Sequence, residues 1–187
     1  TPLQDGKVVL VRSQTRVEFH SRFLLVGASN PCPCGFFGSN EVACTCSPTV
    51  LRTYHNRIGG PLLDRFDMIC WIDRVNPSVF LNKNCPHITS QEVFEGIRHA
   101  QEFRQLYGLK VGSLLEKDVL ASSEMLTEKA RNILLQEAVK EHLSSRAMVK
   151  VLRVARTCAD LSQSLKIDET HICEALFYRN DWSVLNA

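Results

Sequence analysis

The sequence predicts an α/β portion, built from a β-hairpin and two buried strands, followed by an all-α bundle. Three observations predict it. Two continuous apolar runs, Phe23–Leu24–Leu25–Val26–Gly27–Ala28 and Met68–Ile69–Cys70–Trp71–Ile72, fit strands buried on both faces. A run of Lys7–Val8–Val9–Leu10–Val11, then Val17, Phe19 and Phe23, flanks a short polar tip. Past residue 87, apolar residues recur at helical spacing. Between Asp73 and His87 the composition turns to Asn and Pro, with Pro77 and Pro86. Residues 1–75 and 76–187 are therefore predicted as separate domains.

The hairpin is expected over Gly6 to Phe23, with Ser13–Gln14–Thr15 at its tip and Arg12 and Arg16 on either side. Two such arginines by themselves fit a solvated turn with gatekeeping charges. The Phe23–Ala28 run ends at Ser29–Asn30, and in parallel α/β sheets ligands gather at the carboxyl ends of strands. Asn in that place is also a common turn former. After a cysteine-rich segment, Ser47 is placed to cap a helix with Pro48 at its first position and Val50, Leu51, Tyr54 and Ile58 on its apolar face. Gly59–Gly60–Pro61 is expected to end it. The pair Leu62–Leu63 and the cluster Asp64–Arg65–Phe66–Asp67 lead into the second apolar run.

In the bundle, Thr89 with Glu92 forms a capping box. Val93, Ile97, Ala100, Phe103 or Arg104, and Tyr107 continue that helix, and Gly108 stops it. A less regular stretch runs to Thr127. A second helix uses Ala130, Ile133, Leu134 and Ala138. A third begins after Ser144–Ser145 and aligns Met148, Val151, Leu152, Ala155, Cys158 and Ala159 on one face. A fourth starts at Asp168 and buries Ile172, Ala175 and Leu176.

Composition bounds the function classes. The 187 residues are 44 % hydrophobic and 22 % charged, ordinary for a globular protein. A net charge of +2 makes no case for nucleic acid by bulk charge, so any DNA contact must come from local placement of Lys and Arg. No run approaches the roughly 18 apolar residues of a membrane span. The start, Thr1–Pro2–Leu3–Gln4–Asp5–Gly6, has neither the basic nor the apolar part of a signal peptide. The expectation is a cytoplasmic protein without membrane attachment.

Eight cysteines make their arrangement informative. Cys70, Cys158 and Cys173 fall at apolar positions where a thiol packs as a small hydrophobe. Cys32, Cys34, Cys44 and Cys46 form two pairs separated by nine residues. In a reducing compartment such a cluster points to metal or redox chemistry before disulfides. Zinc takes four thiolates tetrahedrally, and a structural site so filled keeps no open position for catalysis. Pro33 and Gly35 suit a backbone turning tightly round an ion. One residue between paired ligands is tighter than the usual two to four. The alternative is four free or redox-active thiols in a surface loop.

Several segments in fixed order then carry a resemblance: Asn30–Pro31–Cys32–Pro33–Cys34–Gly35, Cys44-x-Cys46–Ser47–Pro48, Gly60–Pro61–Leu62–Leu63–Asp64–Arg65, Ser145–Arg146–Ala147, Val151 to Thr157, and Ala159–Asp160–Leu161. From about Pro2 to Arg179 the chain resembles the magnesium-chelatase-like AAA+ ATPases of the ComM/YifB type. The resemblance implies part of an AAA+ core, the hairpin plus the last two core strands, followed by a helical lid domain. It implies ATP and Mg²⁺ bound between subunits of a ring, usually a hexamer. Asn30 would be sensor 1, Arg65 the arginine finger that reaches a neighbour's ATP, and Arg146 sensor 2 in the lid. The hairpin would point into a DNA channel, making Arg12 and Arg16 candidate phosphate contacts. For Arg65 and Arg146, the plainer alternative is an ion pair with a nearby carboxylate.

The sequence departs from a complete enzyme of this kind. It has no G-x-x-x-x-G-K-[ST] pattern, and no apolar strand ending in Asp–Glu. The expectation is a C-terminal fragment that neither binds ATP tightly nor hydrolyses it, and whose two core strands lack the strand that should lie between them. They should pair with each other, pair with another copy, or be poorly ordered. For the parent protein, the resemblance implies an ATP-driven, branch-migrating DNA helicase. A magnesium chelatase subunit for porphyrin metal insertion is one alternative, disfavoured by the cysteine quartet. A zinc-stapled binding or assembly module without catalysis is another.

Overall fold

The computed structural model describes residues 6–13, 15–21, 23–58, 60–63, 65–72, 88–109 and 125–180. The expected domain boundary, within 73–87, lies outside the described residues, as does most of the irregular stretch before Thr127. The chain divides into two compact units, Thr1–Phe66 and Asp67–Ala187.

The first unit opens with strand β1, Lys7–Arg12, paired antiparallel to β2, Thr15–His20. Arg12 faces Thr15 across a two-residue loop, and Ser13 takes φ 52°, the left-handed conformation that tight hairpin loops require. Strand alternation puts Val8, Leu10, Arg12, Thr15, Val17 and Phe19 on one face. The other face carries Lys7, Val9, Val11, Arg16, Glu18 and His20, with a Lys7–Glu18 ion pair of 3.1 Å. Arg12 and Arg16 are both exposed, and they lie on opposite faces of the ribbon. The hairpin closes where Ser21 N–H donates to the Gly6 carbonyl at 2.8 Å, short of the expected end at Phe23.

The two apolar runs read as buried strands are not strands. Leu24 is 88 % exposed, Val26 80 % and Ile72 86 %, and the hairpin is the one sheet among the described residues. A strand exists through its ladder, and among the described residues neither run has one to join. Ile69 N–H donates to the Tyr178 carbonyl at 2.8 Å, a bond to a helix and not to a strand. The α/β portion is thus a partial one, a hairpin and irregular segments, and helices make up the rest of the fold.

Helix α1, Pro48–Ile58, begins as its sequence predicts, with Ser47 Oγ accepting from Val50 N–H at 3.4 Å. Gly60, Pro61, Leu62 and Leu63 form one further turn, α2, where a simple stop was expected. Pro61 fits there because Pro is tolerated in a first helical turn.

In the second unit, α3 spans Ser90–Leu106 behind the expected capping box: Thr89 N–H donates to Glu92 at 2.7 Å, and Glu92 N–H to Thr89 Oγ1 at 3.2 Å. Gly108, at φ 63°, ends it, and Leu109 N–H reaches back to the Arg104 carbonyl at 2.9 Å. Its expected core face is not buried: Val93, Ile97 and Tyr107 are 45–51 % exposed. Helices α4 (Glu128–Lys140), α5 (Ser145–Leu161) and α6 (Glu169–Asn180) pack together. Thr127 caps α4, Ser144 caps α5, and the Asp168 carboxylate accepts from Thr170 and His171 at the start of α6. Their core holds Ala130, Leu134, Val151, Leu152, Ala155, Cys158, Ala159, Ile172, Ala175 and Leu176, all expected, with Val154 and Ile167 added. A parallel bridge between Leu126 and Ile167 ties the entry of α4 to the α5–α6 loop.

A charge pair joins α3 to α5. Asp160 on α5 is 1 % exposed and takes Arg156 Nε at 2.9 Å on one oxygen and Arg104 of α3 on the other. Arg156, equally buried, also donates to the carbonyls of Leu165, at 2.7 Å, and Ser164. Each buried charge is thereby paired and hydrogen-bonded, the condition under which such charges persist. No helix of the described residues is long and apolar enough to cross a membrane.

Candidate metal centre

The four clustered cysteines converge. Their sulfurs all lie within 4.8 Å of one another. Cys32 Sγ stands 3.3 Å from Cys34 and 3.8 Å from Cys44, and Cys34 stands 3.5 Å from Cys44. Four thiolates held tetrahedrally at about 2.3 Å from one ion would be about 3.8 Å apart, so the set fits a single Zn²⁺-sized ion.

Local backbone makes this convergence possible. Gly35 N–H donates to the Cys32 carbonyl at 3.0 Å, closing a turn in which Gly35 takes φ 80°. A side chain there would meet nothing within 4 Å, so glycine serves the backbone angle and not space. Phe37 N–H donates to Cys32 Sγ at 3.3 Å and so ties the loop backbone to the sulfur cluster.

The thiols do not share protons evenly. The Phe36 backbone amide, aided by the Thr45 amide and the Cys32 and Cys44 thiols, pulls Cys34 down to about 5. At Cys44 the Cys46 amide favours the thiolate, but loss of hydration and the neighbouring thiols outweigh it and push the group up to about 12. Cys46 is raised in the same way against the pull of the Cys34 amide. The Cys34 thiolate forms readily, while loss of hydration and the neighbouring thiols resist it at Cys44 and Cys46. A divalent cation reverses that balance and supports all four thiolates together.

Helix α1 frames the centre, which sequence reasoning missed. Its start lies two residues beyond Cys46. From its second half, Tyr54 Oη donates to the Asn30 carbonyl at 3.0 Å and His55 Nε2 to the Pro31 carbonyl at 2.8 Å. The His55 ring meets the edges of Phe37 and Tyr54, centroids 5.6 and 5.9 Å apart. Tyr54 had been read only as part of an apolar face.

The remaining candidates are placed as follows. Asn30 is exposed, in an irregular segment directly before the cysteine loop. Arg65 is partly buried in the turn after α2, its N–H bonded to the Leu62 carbonyl at 2.9 Å. Arg146 is exposed in the first turn of α5, and no carboxylate of the described residues pairs with it. Of the other cysteines, Cys158 is buried as expected and pushed up to about 12, by burial and then by the Glu174 carboxylate, which leaves it unreactive. Cys70 and Cys173 are exposed, against expectation. Position 70 lies in a run that joins no sheet among the described residues.

One constellation imitates a nucleophilic triad: Ser162 Oγ lies 2.7 Å from His171 Nε2, with Asp168 Oδ1 2.9 Å from Nδ1. Ser162 Oγ also donates to the Ala159 carbonyl, and the Asp168 N–H reaches His171 Nδ1 at 3.2 Å. The group joins the end of α5 to the start of α6.

Comparison with known families finds two adjoining matches. Residues 1–80 match the family described as magnesium chelatase, subunit ChlI, and residues 87–179 match magnesium chelatase, subunit ChlI C-terminal. The chain is 32 % identical over 178 residues to the competence protein ComM of Haemophilus influenzae, covering 95 % of this chain and 35 % of that protein. It is similar to the uncharacterized protein YifB of Escherichia coli K12, also 32 % identical, and to that of Salmonella typhimurium, 31 % identical, with the same coverage. The chain thus spans about a third of the length of these relatives.

Proposed function

The chain belongs to the magnesium chelatase ChlI family, and from that premise we propose that it is the sensing and lid portion of an ATP-driven motor acting on DNA in the cytoplasm. The observation that carries this reading is the match of 95 % of the chain to a competence protein. In this reading Asn30 orients the water that attacks the γ-phosphate, Arg146 senses nucleotide from the helical lid, and Arg65 reaches the ATP of a neighbour in a hexameric ring. ATP and Mg²⁺ are held mainly by a phosphate-binding half that these residues do not supply. Support comes from the exposure of Asn30 and from an exposed Arg146 that pairs with no carboxylate among the described residues. The four cysteines hold a structural Zn²⁺ that closes the loop between Asn30 and α1. It supplies rigidity and no chemistry, since four thiolates fill its coordination.

The test is ATP turnover by a longer polypeptide that joins this chain to a phosphate-binding loop, measured with and without DNA. DNA should stimulate hydrolysis. Arg65→Ala should cost about 10³-fold in turnover or more, the usual worth of an arginine finger, while leaving ATP affinity nearly unchanged. Turnover indifferent to DNA would favour the porphyrin-metal chelatase alternative. Steady turnover by the present chain alone would contradict the division of labour.

A further inference from the structure

Two hydrogen bonds from α1 end on consecutive carbonyls, Asn30 and Pro31, immediately before the first cysteine. The same helix begins two residues after the last. The cysteine loop is therefore closed twice, once by sulfur at the start of α1 and once by Tyr54 and His55 at its far half. Between the two closures runs a continuous set of contacts. Cys32 Sγ accepts the Phe37 N–H, the Phe37 ring lies against His55, and His55 donates to the Pro31 carbonyl that leads back to Cys32. The Pro31 oxygen can only accept, so His55 Nε2 carries its proton and works as a fixed donor.

We propose that Tyr54 and His55 are positioning residues that convert the occupied cysteine centre into a fixed Asn30. An ion at the sulfurs orients the start of α1, and a helix of 11 residues is stiff enough to carry that orientation to its Tyr54–His55 end. There, the hydroxyl and the imidazole pin the backbone on which the Asn30 side chain stands. The ion alone does not suffice. Cys32 is two residues from Asn30, and Pro31, the one residue between them, has its φ fixed by the ring but not its ψ. The peptide of Asn30 itself is held by the Tyr54 hydroxyl. A group that must orient a reacting water needs its backbone held to within a fraction of an ångström, and a partner from the neighbouring helix meets that need. This inference rests on the reading of Asn30 as nucleotide-facing and adds to it how that residue is held.

The test uses the whole chain, ¹⁵N-labelled, with excess Zn²⁺ under reducing conditions. Ion content is counted first. Backbone order at residue 30 is then compared between the unsubstituted chain, Tyr54→Phe and Tyr54→Phe with His55→Gln. All three should carry one Zn²⁺ per chain. The order parameter of Asn30 should fall from about 0.85, rigid backbone, to below about 0.6 in the double variant, with Tyr54→Phe between them. Tyr54→Phe removes one oxygen and keeps the ring, so it remains informative if the double variant folds poorly. Equal order at Asn30 in the zinc-loaded unsubstituted chain and the zinc-loaded Tyr54→Phe variant would overturn the proposal. A chain that takes up no Zn²⁺ would overturn it together with the metal centre. Neither measurement involves nucleotide, so an Asn30 with no part in ATP hydrolysis would be recognised separately, by an unchanged turnover of Asn30→Ala in the longer polypeptide.

Discussion

At the scale of single residues, the most consequential side chain outside the metal loop is Asp160. Its carboxylate is 1 % exposed and faces two guanidinium groups, of Arg156 and Arg104. Replacing it with Asn keeps the volume and removes the charge, leaving two cations with amide partners only. Breaking a buried pair from one side typically costs about 3–5 kcal/mol because the other charge stays uncompensated. Asp160→Asn should lower the stability of the helical unit by about that much, read as a shift in the urea midpoint with an unchanged slope. A loss below about 1 kcal/mol would mean that water reaches Asp160 after all. The Arg104–Asp160–Arg156 cluster was not legible in the sequence. Arg156 and Asp160 stand at i and i+4, as countless surface pairs do. Arg104 is 56 positions from its partner and was indistinguishable from Phe103 as the continuation of a helical face.

Among elements, what could be read was what is local. The capping box at Thr89 and Glu92, the Ser47–Pro48 start of α1, the Gly108 stop and the α5 core face each depend on residues within a turn or two of each other. The strand assignments failed because an apolar run records only a tendency to be buried, while a strand also needs a neighbour. Tyr54 and His55 escaped notice for the same reason, their partners lying 24 residues back. A local cap also allows a prediction with a sign. The Thr170 hydroxyl, then the His171 and Thr170 amides, lower the Asp168 carboxyl below its ordinary value, since all of them favour the anion. A carboxylate depressed by folding stabilises fully above its unfolded pKa, about 4, and stops doing so as pH falls through its folded value. Asn is as good an N-cap as Asp, so Asp168→Asn isolates the charge. The variant should unfold at lower urea than the unsubstituted chain near pH 7, and the gap should close as the pH drops below about 4. A gap that persists in acid would assign it to hydrogen-bond geometry. The opposite trend, a gap that widens in acid, would contradict the depressed carboxyl itself.

At the scale of the whole chain, charge and exposure are unevenly shared. Residues 1–66 carry seven Lys and Arg against four Asp and Glu, whereas residues 67–187 carry fifteen against sixteen. For the DNA contact proposed above, the first unit carries the net positive charge, and its exposed hairpin is the arm to test. The register adds a constraint that sequence alone did not: Arg12 shares a face with Leu10, Val17 and Phe19, and Arg16 shares the opposite one with Val9 and Glu18. A ribbon lying flat on a strand would offer one of the two arginines to phosphate and turn the other to solvent. A ribbon entering edgewise between two rows of phosphates would use both, and the exposure of both faces permits that entry. Each phosphate contact on duplex DNA contributes about 0.9 to the slope of log K against log salt. Edgewise entry predicts that Arg12→Ala and Arg16→Ala each reduce the slope by about 0.9 and that the double variant reduces it by about twice that. Fluorescence anisotropy across a salt series measures it directly. A slope that responds to one arginine and ignores the other would replace edgewise entry with a ribbon laid flat. A slope that ignores both would remove the hairpin from the DNA interface.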